Sequence, residues 1–352
     1  MNPVARGVGE LSPAWLSDAL RAGDGDMTVS SVTAEQIGTG QIGTTYRLTL
    51  GYSGQPGPPT LVAKLAGGDQ AARSRVADGY AKEVGFYTHL ASTVDVRTPR
   101  CWYGAISDDK LDFTLLLDDI SAASPGVQTD GCPVTQAYDA VRNLAGLHAP
   151  RWNDPTLRDH AFLGPAGPEM ASFLGDALVG ATELFIDRYD NRLADSDKDT
   201  LRDVASAITG WLLTQPEPYA VVHGDYRLDN LMFAHEGSDV TALDWQTVSL
   251  APPARDLAYF LGTSLLRGDR RAHQEALVAH YHDHLMERGV KTYDAASCWD
   301  DYRLGQLQGP MITVLGCIYA TSTPSERSDR MFLAMATRSC AAIRDLGSME
   351  LL

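Results

Sequence analysis

Val221-Val222-His223-Gly224-Asp225-Tyr226-Arg227-Leu228-Asp229-Asn230 runs on into Leu231-Met232-Phe233 and is followed by Thr241-Ala242-Leu243-Asp244-Trp245. The apolar run Tyr219–Val222 reads as a strand that opens into a polar loop. Leu231–Ala234 reads as a second strand, Glu236–Asp239 as a turn, and Val240–Leu243 as a third strand that stops at Asp244. Asp225, Asn230 and Asp244 thus stand in the loop or at strand ends, where three oxygen-bearing side chains can converge. Phosphoryl transfer from a nucleotide needs such a set. One carboxylate orients the attacking hydroxyl and accepts its proton, and hard oxygen ligands hold Mg²⁺ on the phosphates. Asp and Asn five residues apart, with another Asp fourteen residues on, match the spacing of a kinase catalytic loop and its metal-binding Asp. The plainer alternative is a polar hairpin with solvated acids.

Outward from this island the chain changes texture. Ser12-Pro13 reads as a helix cap and first-turn proline, opening a helix to about Arg21 that Gly23, Asp24 and Gly25 end. Val32–Ile37, Thr44–Leu50, Leu61–Leu65 and Phe113–Leu117 are short apolar or alternating runs broken by Gly and Pro, and read as strands. Gly51–Pro59 reads as a turn. Ser74–Leu90 carries Tyr80, Val84, Tyr87 and Leu90 on one helical stripe. Beyond Asp119, helices are expected at Thr135–His148, Glu169–Leu193, Lys198–Leu213, Pro253–Leu266, Ala272–Arg288, Tyr293–Tyr319 (in one or two pieces) and Asp329–Leu346. A strand-rich part at residues 1–118 and a larger helical part at 119–352 predict two lobes with a cleft between them.

His-Gly-Asp-x4-Asn followed by Leu-Asp-Trp resembles the aminoglycoside phosphotransferase and choline-kinase-like superfamily of small-molecule kinases. Gly224 stands where protein kinases usually carry Arg, and Trp245-Gln246 replaces their Phe-Gly. Both differences point to the small-molecule branch, as does the lack of an Ala-Pro-Glu-like segment after Asp244. The resemblance runs in order from about Ile37 to Leu261. The HGDYRLDNLMF stretch most resembles uncharacterised actinobacterial members and the kinase-like domain attached to some acyl-CoA dehydrogenases. The fold implied is α+β and bilobal, protein-kinase-like, with a small antiparallel-sheet N-lobe and a larger, mostly helical C-lobe. The resemblance makes Asp225 the catalytic base, Asn230 a Mg²⁺ ligand and Asp244 the second metal-binding residue. The donor it implies is ATP, with GTP the alternative.

The N-terminal part supplies the nucleotide side. Gly38-Thr39-Gly40-Gln41-Ile42-Gly43 lies between two strand-like runs, as a kinase flap does; a dinucleotide site would need a helix directly after it. Gly38, Gly40 and Gly43 would let backbone N–H groups approach phosphate oxygens. Lys64, in Val62-Ala63-Lys64-Leu65, reads as the Lys that contacts the α- and β-phosphates, with Glu83 as its acid on the following helix and Asp78 as the alternative. By resemblance the carbonyl of Asp118 and the amide of Ile120 meet adenine, with Leu117 at the back of the pocket. The Asp118 and Asp119 carboxylates are expected to be exposed.

Arg227 has two readings: it reaches a phosphate or the substrate, or it pairs with Asp229 or another acid as scaffold. His223 and His148 read as hydrogen-bonded structural residues, and Asp256 as the anchor of a helix start near the catalytic loop. His280 and His284 share a helix face but read as solvated.

Composition bounds the rest. The 352 residues include 44% apolar side chains, enough for a sizeable core. The net charge of −16 excludes a nucleic-acid partner, which needs a basic footprint. Residues 119–352 carry most of it, −13 against −3 for residues 1–118. The N-terminus lacks signal-peptide features, no apolar run is of membrane length, and the five cysteines fall in no CxxC pair, so a reducing cytoplasm is expected. The partner expected is a small-molecule hydroxyl acceptor, for a monomer or homodimer. The acidic C-terminal part would suit a cationic acceptor, with some of Glu183, Asp187, Asp190, Asp300 and Asp301 lining its cleft. The wall facing Asp225 is expected from Glu169–Leu193 and Tyr293–Tyr319.

Overall fold

The computed structural model describes residues 4–24, 27–38, 43–164, 167–214, 218–321 and 324–352. Contacts divide the chain into two compact units. The first holds Met1–Ser92, Thr98–Ala122 and Asp244–Thr247; the second holds Thr93–Arg97, Ala123–Leu243 and Val248–Leu352.

In the first unit, α1 (Pro13–Asp24) starts where Ser12 Oγ accepts the Trp15 N–H at 3.2 Å. Then come β1 (Val29–Ile37), β2 (Gly43–Tyr52), β3 (Thr60–Ala66), α2 (Gln70–Gly85), β4 (Cys101–Ile106) and β5 (Phe113–Asp118). The strands form one antiparallel sheet in the order β1-β2-β3-β5-β4. Along β3 the two-residue period buries Leu61, Ala63 and Leu65 in a core shared with Leu16 and Leu20 of α1. Lys64, out of phase with them, is left on the opposite face, paired in register with Thr45 and Leu115. Asp69 caps α2 by accepting the Ala72 N–H, so the helix begins four residues before the expected Ser74. A π turn, Phe86–Leu90, extends it.

One strand of this sheet, β4, was not legible in the sequence. Gly104 interrupts its apolar pattern, yet a side chain there would put Cβ 2.7 Å from Thr88 Cγ2. The glycine weakens the local strand signal because the π turn needs the room.

The second unit contains β6 (Ala123–Pro125), α3 (Val134–His148), α4 (Pro168–Tyr189), α5 (Asp195–Leu213), β7 (Ala220–Val222), β8 (Leu231–Ala234), β9 (Val240–Ala242) and β10 (Ser249–Ala251). It continues with α6 (Ala254–Ser264), α7 (Arg267–Glu287), α8 (Ala295–Gly305), α9 (Gln308–Leu315) and α10 (Glu326–Leu346). The strands make two small antiparallel sheets, β6-β8-β9 and β10-β7. Phe185, Trp211, Met311 and Phe332 join α4, α5, α9 and α10 in one core. The Tyr293–Tyr319 stretch is two helices, α8 and α9, followed by a π turn at Gly316–Ala320. Helix α7 starts at Arg267, before the expected Ala272. Its first turns are too polar to show a stripe, and they are tied down at a distance: Arg270 is buried against Asp345 of α10, which Arg267 and Arg271 also hold. No described helix is long and apolar enough to cross a membrane.

Helix α6 is buried along its whole length and packs on α8, α9 and α10. At its start α8 comes so close that a Cβ on Gly305 would lie 2.9 Å from Ala254 O and 2.9 Å from Ala258 Cβ. Backbone cannot retreat as a side chain does. Gly305→Val should therefore destabilise the protein by about 1–3 kcal/mol, the usual cost of overpacking. Urea denaturation checks this; an unchanged midpoint would mean that α6 and α8 part freely.

Candidate active site

Strand β7 is fully buried and delivers the chain to His223. Gly224 then takes φ +81°, a left-handed conformation that glycine adopts without cost. The turn aims two successive N–H groups, of His223 and Gly224, at the Asp256 carboxylate of α6, at 2.6 and 2.9 Å. The Asp225 N–H donates to His223 Nδ1 at 3.2 Å, so His223 Nε2 carries the ring proton and donates to Leu243 O at 2.9 Å. His148 is fully buried between Tyr281 O–H, 2.7 Å from Nδ1, and Asp256, 3.3 Å from Nε2. Both histidines order the loop, and Asp256 anchors the start of α6 beneath it.

Three donors hold the Asp225 carboxylate. Tyr259 O–H donates to Oδ1 at 2.6 Å, Asn230 Nδ2 to Oδ2 at 2.9 Å, and Arg227 Nε lies 3.1 Å from each oxygen. Arg227 Nη1 also donates to Asp229 at 2.7 Å and lies 3.5 Å from Met331 Sδ. Arg227 thus makes the scaffold pairing expected with Asp229, and pairs with Asp225 as well. Burial works against the guanidinium charge, but Asp225, Tyr259 and Asp229 outweigh it and raise its pKa. Burial, reinforced by Asp225, lifts the Tyr259 phenol well above its ordinary range.

Three buried braces of this loop were missed in the sequence. Gln308 of α9 donates to Gly224 O at 3.1 Å. Gln128 accepts the Leu228 N–H through Oε1 and donates its own backbone N–H to Asp229. Tyr259 had a signal, since it lies one helical turn after Asp256. Gln128 and Gln308 had none. From the Tyr293–Tyr319 stretch, expected to help form the wall facing Asp225, Gln308 bonds the loop backbone, and Met331 of α10 lies against Arg227.

In the first unit, Lys64 Nζ donates to Glu83 Oε1 at 2.5 Å, and Gln246 Nε2 to Glu83 Oε2 at 3.3 Å. Asp78 meets Lys110 instead, at 3.7 Å. Burial lowers the Lys64 ammonium, but Glu83 and Asp244 outweigh it and the net direction is up. Glu83 is fully enclosed, and burial raises its carboxyl against the pull of Lys64. Asp244 has φ +65°, unusual for a residue with a Cβ. Its segment is held by the Trp245 ring, stacked on Phe86 at 3.5 Å between centroids. Asp244 Oδ1 lies 3.7 Å from Lys64 Nζ and is a buried oxygen that accepts no hydrogen bond among the described residues. Asn230 spends its Nδ2 on the carboxylate and carbonyl of Asp225, so Oδ1 is the atom it could offer a cation. Both oxygens are of the hard kind that Mg²⁺ takes.

Among the other residues expected on the nucleotide side, Gly38 has φ +70°. Gly43 must be glycine because a Cβ would lie 2.8 Å from Leu65 O. Gly40 lies outside the described residues. Leu117 is buried and Ile120 half-buried. Asp118 and Asp119 are not the exposed acids expected: Asp118 accepts from Trp102 Nε1 at 2.7 Å, and Asp119, its side chain 5% exposed, pairs with Arg47 at 2.7 Å. Arg47 sits on β2, far away in sequence, so charge pattern alone could not reveal the pair.

Of the acids expected to greet a cation, Glu183, Asp190 and Asp300 are engaged by Arg202, Lys198 and Arg303, and Asp301 accepts from Tyr293. Asp187 is exposed. The His280 and His284 rings lie 4.4 Å apart, but no group of three or more His, Cys, Asp and Glu suited to a metal occurs among the described residues.

Comparison with known proteins bears on the fold. A model of the ecdysteroid kinase-like family matches residues 161–292, which include the Asp225 loop. An alignment over 71 residues is 44% identical to acyl-CoA dehydrogenase family member 10 of Mus musculus and covers 17% of this chain and 7% of that protein. Choline kinase of Cryptosporidium parvum superposes with TM-score 0.57 at 10% identity, covering 97% of this chain and 95% of that one. A GDP complex of aminoglycoside 2'-phosphotransferase-IIIa superposes with TM-score 0.52 at 16% identity, covering 87% of this chain and 91% of that one. The chain has the bilobal, α+β, protein-kinase-like fold of the small-molecule kinases.

The Lys64–Glu83 pair is buried, so breaking it from one side leaves an uncompensated charge. Lys64→Met should cost about 3–5 kcal/mol in denaturant unfolding. The double variant Lys64→Met/Glu83→Leu should recover a large part of that loss. A single variant as stable as the parent would show that the pair contributes nothing to the fold.

Proposed function

We propose that this chain, whose fold is that of the small-molecule kinases, transfers the γ-phosphoryl group of ATP to a hydroxyl of a small molecule. The observation that carries the reading is the Asp225 carboxylate, held by three donors with Asn230 five residues on. In this reading Asp225 accepts the proton of the acceptor hydroxyl while the alcohol oxygen bonds to the γ-phosphorus. The bond from that phosphorus to the bridging oxygen breaks, and the nucleoside diphosphate leaves. Lys64, oriented by Glu83, meets the α- and β-phosphates, and Gly38, Gly40 and Gly43 are the glycines proposed to let backbone N–H groups approach the phosphate oxygens. The Asp118 carbonyl and Ile120 amide meet the base, with Leu117 behind it; GTP is the alternative donor. Asn230 and Asp244 would hold Mg²⁺, which when bound neutralises phosphate charge. Arg227 keeps Asp225 and Asp229 in place.

The acceptor we favour is an apolar alcohol, not a cation. Met331, half-buried, touches Arg227, and the half-buried Leu174, Leu315 and Ile318 belong to the same apolar cluster in the unit that carries Asp225. The acids that would attract a cation are mostly paired with their own basic or phenolic neighbours. A steroid alcohol is the class that the name of the matched family suggests. A second reading, a nucleotide-binding regulator without transferase activity, draws on the grip of Arg227 on Asp225, which occupies the proposed base.

An ATP-consumption screen across steroid and lipid alcohols, hydroxylated amines, aminoglycosides and macrolides tests both readings. Turnover with an apolar alcohol supports the first; Mg-ATP binding with no turnover on any acceptor supports the regulator. Once an acceptor is in hand, Asp225→Asn should lower turnover by about 10²–10⁴-fold, the usual share of a general base. Turnover like that of the parent would remove Asp225 from that role.

Mg-ATP should also raise the melting temperature, by mass action. Asp244→Ala should lose the magnesium-dependent part of that shift. Equal shifts with and without Mg²⁺ in the parent would count against a metal site.

A further inference from the structure

Helix α6 holds the catalytic loop at two points one helical turn apart. Asp256 takes the two backbone N–H groups just before Asp225, and Tyr259 takes the Asp225 side chain. The helix is buried at every position, so both contacts come from a rigid support. The second contact has no role in the proposed transfer as it stands.

The three donors to Asp225 are not equivalent. A carboxylate turns easily about its last side-chain bond, because that torsion is broad. Arg227 Nε lies 3.1 Å from Oδ1 and 3.1 Å from Oδ2, so it pulls on both oxygens alike and selects no orientation. Only Tyr259, at 2.6 Å from Oδ1, and Asn230, at 2.9 Å from Oδ2, tell one oxygen from the other. Tyr259 makes the shorter bond, from a fully buried ring, whereas Asn230 divides its Nδ2 between this carboxylate and the Asp225 carbonyl and is also a proposed metal ligand. The phenol, raised well above its ordinary range by burial and by Asp225, keeps its proton to donate.

We infer that Tyr259 is a positioning residue: its hydroxyl fixes the rotation of the Asp225 carboxylate and so aims the oxygen that takes the acceptor proton. The inference rests on the reading of Asp225 as the base. The plainer alternative is a core tyrosine whose hydroxyl merely finds a partner. That alternative predicts a stability loss and no specific effect on turnover.

The test is Tyr259→Phe in the full chain, which removes one oxygen and keeps the ring. Turnover is read with Mg-ATP and water as acceptor, and with the alcohol found by the screen. The expected result is a fall in kcat of at least about tenfold, the size of one lost oriented hydrogen bond to a charged group, with the KM for ATP within twofold. In an Asp225→Asn background the same change should have no further effect on kcat. Crystal structures of the parent and the variant supply a readout independent of activity: the Asp225 carboxylate should turn away from its parental plane. An unchanged kcat, an equal fall in the Asp225→Asn background, or a carboxylate that keeps its plane would each overturn the inference. If the parent binds Mg-ATP but turns over nothing, the kinase reading fails, and the carboxylate plane still decides whether Tyr259 positions Asp225.

Discussion

The Asp256 carboxylate accepts two successive backbone N–H groups, of His223 and Gly224, in a part of the fold that water does not reach. Buried N–H groups without acceptors are costly, so this contact governs the path of the chain between β7 and the loop. Gly224 is the residue that makes it geometrically possible, because φ +81° turns both donors toward one carboxylate. The rest of the loop inherits that start. Asp225 emerges beside Tyr259, Arg227 folds back over two acids, and Asn230 returns to Asp225 before β8 begins.

The first unit solves a related problem with charge. Lys64 lies out of phase with the buried residues of β3, and the partner that makes its position tolerable comes from α2. Glu83 is wholly enclosed and would be expensive without Lys64. Asp244 joins them from far down the chain, carried in by the stacking of Trp245 on Phe86. Asp244 thus combines a left-handed backbone at a non-glycine residue with a buried oxygen that faces the Lys64 ammonium at 3.7 Å and accepts no hydrogen bond among the described residues.

The acidic charge of the chain takes on a different meaning once its partners are visible. Glu183, Asp190 and Asp300 sit on exposed helix surfaces and face basic neighbours three to nineteen residues away. Such pairs contribute little to stability and serve solubility. The half-buried Met331, against Arg227, is the more informative neighbour of the loop. Net charge described the surface of the second unit and not the surroundings of the Asp225 carboxylate.

The strands around Asp225, the spacing of Asp225, Asn230 and Asp244, the lysine strand and the helix carrying Glu83 were all readable in the sequence. Each depends on neighbours a few residues away: apolar alternation sets the strands, and loops between short strands leave little freedom for what they carry. The same locality explains the misses. Strand β4 hid behind Gly104, whose reason is a contact with Thr88. Asp119 was expected in solvent because nothing near it in sequence announces Arg47, 72 residues away. Tyr259, Gln308 and Gln128 brace the loop from 34, 84 and 100 residues away, and only the closed fold brings them to it. Residue order alone settles which side chains are available for the proposed phosphoryl transfer. Their aim belongs to the folded chain, because hydrogen bonds between buried groups distant in sequence exist only after the helices have enclosed them.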